Sequence, residues 1–501
     1  MRYVLGVDLG TTAIKAAVFD EAGRLLGSRT CEYALLTPNP SWVELPAATY
    51  EKAFRTAVHE AIARAGLCAE DVDTLGLSAQ GETLFFLDEH AEPLRPAIVW
   101  MDNRAVAEAE ELQEALGGRE VVHRTTGQVS MVATWPASKI LWVRRNEPEV
   151  FARTRKFLLI EDYFIHRMTG RYVAEDSLLC STMLWDINRR TYWPEMLDAL
   201  GITEAQLPEI RRPGTPVGTL TPEGAKRFGL SERTVVCLGA LDQACGAIGV
   251  GNVRPGIFSE STGAALATVA VTDRPVFDPN GEMPCFAAGI PGTYMIHSFS
   301  TGGMAIRWFR DAFCELELEK ERAGGPNAYD RIDGLVASVP PGSDGMLVLP
   351  HLQGAGPPDS DMSAKASFLG VTLNHTKAHF ARAIMEGVTM VLLRMMQATE
   401  ALGVGIEEIR SLSGGALSPV WCQIKADATG LPVRTLKHTE SAACRGAAIL
   451  AGVGTGIWRD AAETATAWVE NDRLYIPEPK NKPTYDRMLV EYRDRLGILK
   501  R

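Results

Sequence analysis

The stretch that most constrains the fold of this chain is its first thirty residues. Tyr3 to Leu9 is an apolar run with β-branched residues, Leu9-Gly10-Thr11-Thr12 supplies a turn, and Ile14 to Phe19 is a second apolar run. Asp20-Glu21-Ala22-Gly23 turns the chain again before a third run, Arg24 to Cys31. Short apolar runs bounded by turn residues read as strands, and three of them on short turns make a β-meander. Leu75 to Ala79 and Val235 to Leu241 read as further strands, the latter ending at Asp242. Residues 46–65 place Phe54, Ala57, Val58, Ala61 and Ile62 at helix spacing. Between 104 and 170 the pattern is mostly helical, with apolar stripes and basic flanks at Lys139 to Arg145 and Tyr163 to Met168. Residues 201–234, rich in Pro, Gly and Thr, read as an excursion from the sheet.

The opening pattern returns later. After Gly and Pro punctuation at 251–260, Ile257 to Glu260 and Ala264 to Val271 read as strands around a small-residue turn. This predicts a second domain of similar architecture. It continues with a long helix over 376–402 and a strand from Arg410 to Ser413 that runs into Gly414-Gly415. A helix follows from Pro419 to Thr429, then a charged extension with a helix at 484–496. The predicted division is 1–254, 255–470 and an extension at 471–501. At roughly 150 residues per domain, a chain of 501 residues has room for two or three.

Composition narrows the class. The 51 Lys and Arg against 62 Asp and Glu give a net charge of −11, which disfavours a nucleic-acid partner because phosphates need a basic face. No apolar stretch approaches the roughly 18 residues of a membrane span. The N-terminal apolar run is cut by Asp8 and does not read as a signal peptide. Nine cysteines lie singly between Cys31 and Cys444 without a Cys-x-x-Cys pair, a pattern against a disulfide framework or a zinc ribbon. The expectation is an acidic, cytoplasmic protein with neither a nucleic-acid nor a membrane partner.

Four constellations carry chemistry. In Asp8-Leu9-Gly10-Thr11-Thr12, Gly10 lets the backbone approach a ligand. Thr11 and Thr12 offer donors for phosphate oxygens, Asp8 could hold Mg²⁺ directly or through water, and Lys15 adds a cation. The alternative is an ordinary β-turn. In Leu412-Ser413-Gly414-Gly415-Ala416-Leu417-Ser418, small residues between a strand and a helix suit an anion or a nucleotide, or only a tight connection. In Gly239-Ala240-Leu241-Asp242-Gln243, a carboxylate ends a strand where α/β proteins keep their sites. Asp242 could be a general base and Gln243 a reader of hydroxyls, or Asp242 could be a helix N-cap. Ser78-Ala79-Gln80-Gly81-Glu82-Thr83 and Trp100-Met101-Asp102-Asn103-Arg104 offer convergent polar groups with an aromatic wall, or are two surface loops.

Together these segments resemble the FGGY family of carbohydrate kinases, from Tyr3 to about Gly456. The family's first signature resembles Trp135-Pro136-Ala137-Ser138-Lys139-Ile140-Leu141-Trp142-Val143-Arg144-Arg145-Asn146. The second resembles Ala366-Ser367-Phe368-Leu369-Gly370-Val371, continued by His379-Phe380-Ala381-Arg382-Ala383-Ile384-Met385-Glu386. The resemblance implies an α/β fold of two ribonuclease-H-like domains, as in actin, hexokinase and the heat-shock ATPases, with an interdomain cleft. It implies transfer of the γ-phosphate of Mg²⁺-bound ATP to a hydroxyl of a sugar or polyol. By position, Asp242 matches the catalytic base. Asp8, Gly10, Thr11, Thr12 and Lys15 match the phosphate and Mg²⁺ loop, with Asp8 as metal ligand. Gly263, Gly303, Gly414, Gly415 and Ala416 match nucleotide contacts, and Gln80, Glu82, Trp100, Asp102 and Gln243 match the substrate side.

Three positions depart from the pattern. Gly81-Glu82 stands where xylulokinases usually carry Met-His and glycerol kinases Arg-Glu, so Glu82 alone is glycerol-kinase-like. Thr134 replaces a glycerol-kinase tyrosine and leaves more room. Ala264 replaces the usual threonine of the second phosphate loop, Ser261-Thr262-Gly263-Ala264, which removes one hydroxyl donor there, although backbone amides could still serve. The default substrate is a ketose such as xylulose. The alternatives are another ketose or polyol, or an inactive ATP-binding sensor on the same fold. The oligomeric state is left open, a homodimer included.

Overall fold

The computed structural model describes residues 2–499. The chain forms two compact units. The first takes the N-terminal stretch as far as Val253 together with Thr272–Met295 and Ser441–Val469. The second takes Arg254–Val271, Ile296–Glu440 and the residues from Glu470 onward. This differs from the predicted division: 272–295 and 441–469 fold into the first unit, and the segment from 470 is part of the second rather than a separate extension.

In the first unit the N-terminal runs form β1 (Tyr3–Leu9), β2 (Ala13–Asp20) and β3 (Leu25–Glu32), followed by α1 (Ala47–Arg64) and β4 (Val72–Ala79). Next come α2 (Pro136–Asn146), β5 (Pro216–Thr219), β6 (Val235–Leu241) and α3 (Asp242–Gly249). The sheet order is β5-β6-β4-β1-β2-β3. β6, β4 and β1 run parallel, and β2 and β5 are antiparallel to their neighbours. β5 corrects the expected excursion at 201–234. The chain there returns as an edge strand led by Pro216, a position where a proline costs no ladder bond. The periodic residues of α1 are all buried.

A helix from the far end of the sequence, Ala442–Gly454, closes one face of this sheet. The contact is backbone against backbone. A Cβ on Gly6 would lie 1.9 Å from the carbonyl oxygen of Cys444, and one on Gly76 2.2 Å from that of Ala447. A Cβ on Gly446 would lie 2.0 Å from the carbonyl oxygen of Cys245 in α3. Small residues on both partners therefore set the depth of packing beneath the strand ends.

The second unit repeats the plan with β7 (Gly256–Thr262), β8 (Ala265–Thr272), β9 (Tyr294–Thr301), β10 (Ile406–Leu412), β11 (Val433–Leu436) and β12 (Asn471–Tyr475). Their order is β9-β8-β7-β10-β11-β12. An antiparallel pair, β7 and β8, adjoins parallel β10 and β11, as β1 and β2 adjoin β4 and β6. Its helices include α4 (Met304–Phe313), α5 (Lys377–Ala401) and α6 (Pro419–Thr429). α5 is buried on most sides, and its charged residues Arg382 and Glu386 pair with each other at 2.8 Å. No helix among the described residues is long and apolar enough to cross a membrane.

Candidate active site

Three neighbouring parallel strands of the first unit end together and carry Asp242, Gln80 and Asp8. The register places Ala240 of β6 opposite Ser78 of β4, and Ser78 opposite Asp8 of β1. Ser78 Oγ donates to Asp8 Oδ1 at 2.9 Å, and Lys15 faces Asp8 from β2. Burial raises the Asp8 carboxyl above its ordinary range, against Ser78 and Lys15. Burial, and then the charge of Asp8, push Asp242 up to about 7, with Gln243 opposing through its backbone and side chain. Asp242 is the first residue of α3 and not its N-cap, a position held by Leu241 without a side-chain cap.

The strand end behind Asp242 is held from beneath. The β6–β4 register shifts between Cys237 and Ala240, and a Cβ on Gly239 would lie 1.3 Å from the carbonyl oxygen of Leu77. The Gly239 N–H donates to Glu161 Oε1 at 2.7 Å. Ser177 Oγ accepts the Leu241 N–H at 3.0 Å and itself donates to Glu175 at 2.9 Å. Both glutamates are fully buried, and burial raises both carboxyls.

The β1–β2 turn is tied to the wall beside it. The Gly10 N–H donates to the carbonyl oxygen of Ala13 at 3.1 Å. The Gly10 carbonyl accepts from Tyr33 Oη at 2.5 Å and Gln80 Nε2 at 3.2 Å. Thr11 Oγ1 accepts from Trp100 Nε1 at 2.8 Å, while Thr12 is exposed. Gln80 is 2% exposed, and its Oε1 has no hydrogen-bond partner among the described residues.

Glu82 follows β4 with φ 56°, in the left-handed region. Lys139 of α2, fully buried, donates from Nζ to the carbonyl oxygens of Glu82 (3.1 Å), Val99 (3.0 Å) and Trp100 (3.3 Å). One ammonium thus joins the two loops that carry Glu82 and Trp100. Burial pushes the Glu82 carboxyl up, with Lys139 opposing and Asp242 adding to the rise. Burial pushes Lys139 down, against the charges of Glu82 and Asp102. Asp102 departs from the expected substrate role. It has no exposed surface, and its oxygens accept from Arg104 Nε at 2.9 Å, Arg104 Nη2 at 2.8 Å and the Val43 N–H at 2.6 Å. Its hydrogen-bonding capacity is spent inside the protein, bracing the Trp100 loop.

In the second unit the expected nucleotide residues lie in contact. The Gly303 N–H donates to the carbonyl oxygen of Gly263 at 2.8 Å, and a Cβ on Gly303 would lie 2.4 Å from that oxygen. Gly415 is buried, and a Cβ there would lie 2.5 Å from Thr262 Cβ, whereas Gly414 is exposed. The Ala416 N–H donates to the carbonyl oxygen of Ser413, whose φ is 62°.

Sequence comparison matches residues 3–249 to the N-terminal domain and residues 261–455 to the C-terminal domain of the FGGY family of carbohydrate kinases. The chain belongs to the FGGY family of carbohydrate kinases. Among curated relatives, a xylulose kinase of Bacillus subtilis is 29% identical over 99% of this chain and 96% of the relative. A gluconokinase of the same organism is 30% identical over 91% of this chain and 88% of the relative. An autoinducer-2 kinase of an Enterobacter species is 30% identical over 100% of this chain and 96% of the relative. Among solved structures, a gluconate kinase and a ligand-bound xylulose kinase of Lactobacillus acidophilus each superpose with a TM-score of 0.90 at 26% identity. The former covers 99% of this chain and 98% of its own, the latter 100% and 99%.

Several residues of this FGGY kinase escaped the sequence reading. Lys139 lay in an apolar stripe with basic flanks, and no local pattern signalled that three carbonyls would bury its charge. Glu161 lay in a mostly helical stretch without a motif, and Glu175 and Ser177 lay outside every predicted element. The available signal was Gly239: a glycine inside an apolar strand marks a bulge or a close approach, and a bulge frees an amide that something must accept.

Proposed function

We propose that this kinase moves the γ-phosphate of Mg²⁺-bound ATP to a hydroxyl of an uncharged polyhydroxyl sugar, by default a ketose such as xylulose. The observation that carries the reading is the pair of carboxyls at the ends of β1 and β6, Asp8 and Asp242, on either side of β4, with Asp242 raised to about 7. A base with that proton affinity is suited to take a hydroxyl proton near neutrality, a contribution of ~10²–10⁴-fold. Gln243 beside it orients the carboxylate. Asp8 fits a cation: its half-buried carboxyl carries a charge that raises Asp242, a repulsion that a divalent ion relieves. When bound, the ion offsets negative charge developing on the phosphates. Among the described residues no cage of three or more His, Cys, Asp or Glu is gathered, so Asp8 and the donor's own phosphate oxygens are the ligands proposed. The Gly10-Thr11-Thr12 turn and Lys15 are proposed to hold the transferred phosphate. Gly263, Gly303, Gly414, Gly415 and Ala416 are proposed to hold the nucleotide.

The charges of the first unit bear on the acceptor. Glu82 and Asp242 act on each other, the charge of Asp8 bears on Asp242, and Lys139 has its three protons on carbonyls. This surface suits a neutral ketose or polyol better than a sugar acid, although gluconate kinases are among the relatives. Trp100 and Glu82 are the proposed wall and hydroxyl reader, with Gln80 Oε1 as a further acceptor. A coupled ADP-release assay across ketoses, polyols, aldoses and sugar acids tests this. The expected profile has its highest kcat/KM on a neutral ketose or polyol. A preference for gluconate would overturn the charge argument, and no turnover with any acceptor would overturn the kinase site assignment.

A further inference from the structure

Beneath the second phosphate loop lies an ion pair that no nucleotide contact requires. Lys425 of α6 and Glu260 of β7 have side chains 2% and 0% exposed, with Nζ 2.6 Å from Oε1. The other two protons of Lys425 go to Thr262 Oγ1 and Ser411 Oγ, both at 3.1 Å. Thr262 Oγ1 donates to Glu260 Oε2 at 2.6 Å, and Ser411 Oγ donates to Glu260 Oε1. The network is closed, with each hydroxyl and all three ammonium protons paired. It joins the end of β7, the end of β10 and α6, the three elements that carry the two loops.

Two details tie it to those loops. A Cβ on Gly415 would lie 2.5 Å from Thr262 Cβ and 3.2 Å from Lys425 Nζ, so the Gly414-Gly415 loop rests directly on the network. Above it Ser261 Oγ lies 2.6 Å from Ser413 Oγ, a second link between the same loops. The hydroxyl of Thr262 is turned inward and spent, and position 264 is alanine where a threonine is usual. The turn therefore grips through its main chain, and main-chain recognition works only if the backbone is held still.

We propose that the Lys425–Glu260 pair is the positioning element of the nucleotide side, fixing the Thr262-Gly263 turn against the Ser413–Ala416 loop so that both present a rigid main-chain surface to the phosphates of the donor. The inference rests on the reading of these loops as the ATP site. A buried pair is poor as a source of stability, since replacing both charges by apolar or neutral groups of like volume is often neutral. Its value here is geometric.

The test compares wild type with the double variant Glu260→Gln/Lys425→Met and the single variant Thr262→Val, which keeps the ion pair and cuts its link to the turn. Cooperative thermal unfolding establishes that each is folded. ADP affinity is measured by calorimetry, and KM for ATP and for the sugar by steady-state kinetics. The expected result is a tenfold or greater loss of ADP affinity in the double variant and at least threefold in Thr262→Val. KM for ATP should rise in step, with KM for the sugar within twofold of wild type. A role confined to folding moves the melting temperature without splitting the two KM values. ADP affinity within twofold of wild type in Thr262→Val, or in a folded double variant, overturns the proposal. A wild-type protein that binds no ADP overturns the nucleotide reading itself, a failure visible before any substitution is made.

Discussion

Asp242 shows how position alone can retune a common side chain. Burial and the neighbouring Asp8 charge raise it to about 7, and a base must be unprotonated to accept the hydroxyl proton. Activity governed by it is therefore present above that value and lost as pH falls through it. We expect kcat/KM for the sugar, which reports the free enzyme, to drop tenfold per pH unit below about 7. A profile flat from pH 5 to 8 would remove Asp242 as base. Asp242→Asn should lower kcat by ~10²–10⁴-fold, or roughly 3–5 kcal/mol, with ADP affinity retained. Glu82 makes a finer test. Burial favours its neutral form, so an amide imitates it better than a methyl group does. Glu82→Ala should lower kcat/KM for the sugar about ten- to a hundredfold, the cost of ~1.5–3 kcal/mol for a lost bond of a charged or strongly polar group. Glu82→Gln should lose less, and neither should shift KM for ATP. Equal activity on an unchanged sugar panel for both variants would place Glu82 outside the substrate wall.

At the level of elements, α2 is the example in which a helix acts through one residue. Its sequence periodicity was readable, and Lys139 read as part of its basic flank. What buries Lys139 is the convergence of carbonyls from positions 82, 99 and 100, which no local pattern announces. Lys139→Met keeps the stem and removes the donor, leaving three buried carbonyls unpaired. The expected cost is ~3–5 kcal/mol, the low end for three buried acceptors left unpaired at ~1–3 kcal/mol each, or roughly a 10 °C fall in Tm for a domain of this size. Beyond that fall, KM for the sugar should rise more than KM for ATP, because the Glu82 and Trp100 loops are no longer joined. A variant that is less stable but kinetically normal would make Lys139 a core residue only. The same contrast explains Asp102: its place among polar residues beside Trp100 was legible, but its closure into a buried pair with Arg104 was not.

For the molecule as a whole, the N-terminal β-meander and the strand–turn–strand that opens the second unit were legible because strands with apolar faces carry their period in the sequence. The residence of 441–469 in the first unit was not. A run such as Ser441-Ala442-Ala443-Cys444-Arg445-Gly446-Ala447-Ala448 announces close packing, but it looks the same whichever sheet it packs on. The consequence is a prediction about fragments. Residues 1–254 match the boundary drawn from sequence, yet in the intact chain their β1, β4 and α3 are covered by the Ala442–Gly454 helix at backbone distance. Without that helix Gly6 and Gly76 face water over a surface with no side chains to fill it. The burial of Ile449 and Leu450 alone, worth roughly 3–6 kcal/mol, is also lost. Net stabilities of domains are only about 5–15 kcal/mol, so a loss of this size is decisive. The 1–254 fragment should keep far-ultraviolet circular dichroism, lose its near-ultraviolet signal and bind a hydrophobic dye, the signs of lost specific packing. A fused or added 441–469 segment should restore part of the near-ultraviolet signal, whereas the same segment with Gly446→Leu should not, because its side chain meets the Cys245 carbonyl. A 1–254 fragment that unfolds cooperatively with native near-ultraviolet dichroism would show that the closing helix is dispensable, and that the strand ends carrying Asp8 and Asp242 are set without it.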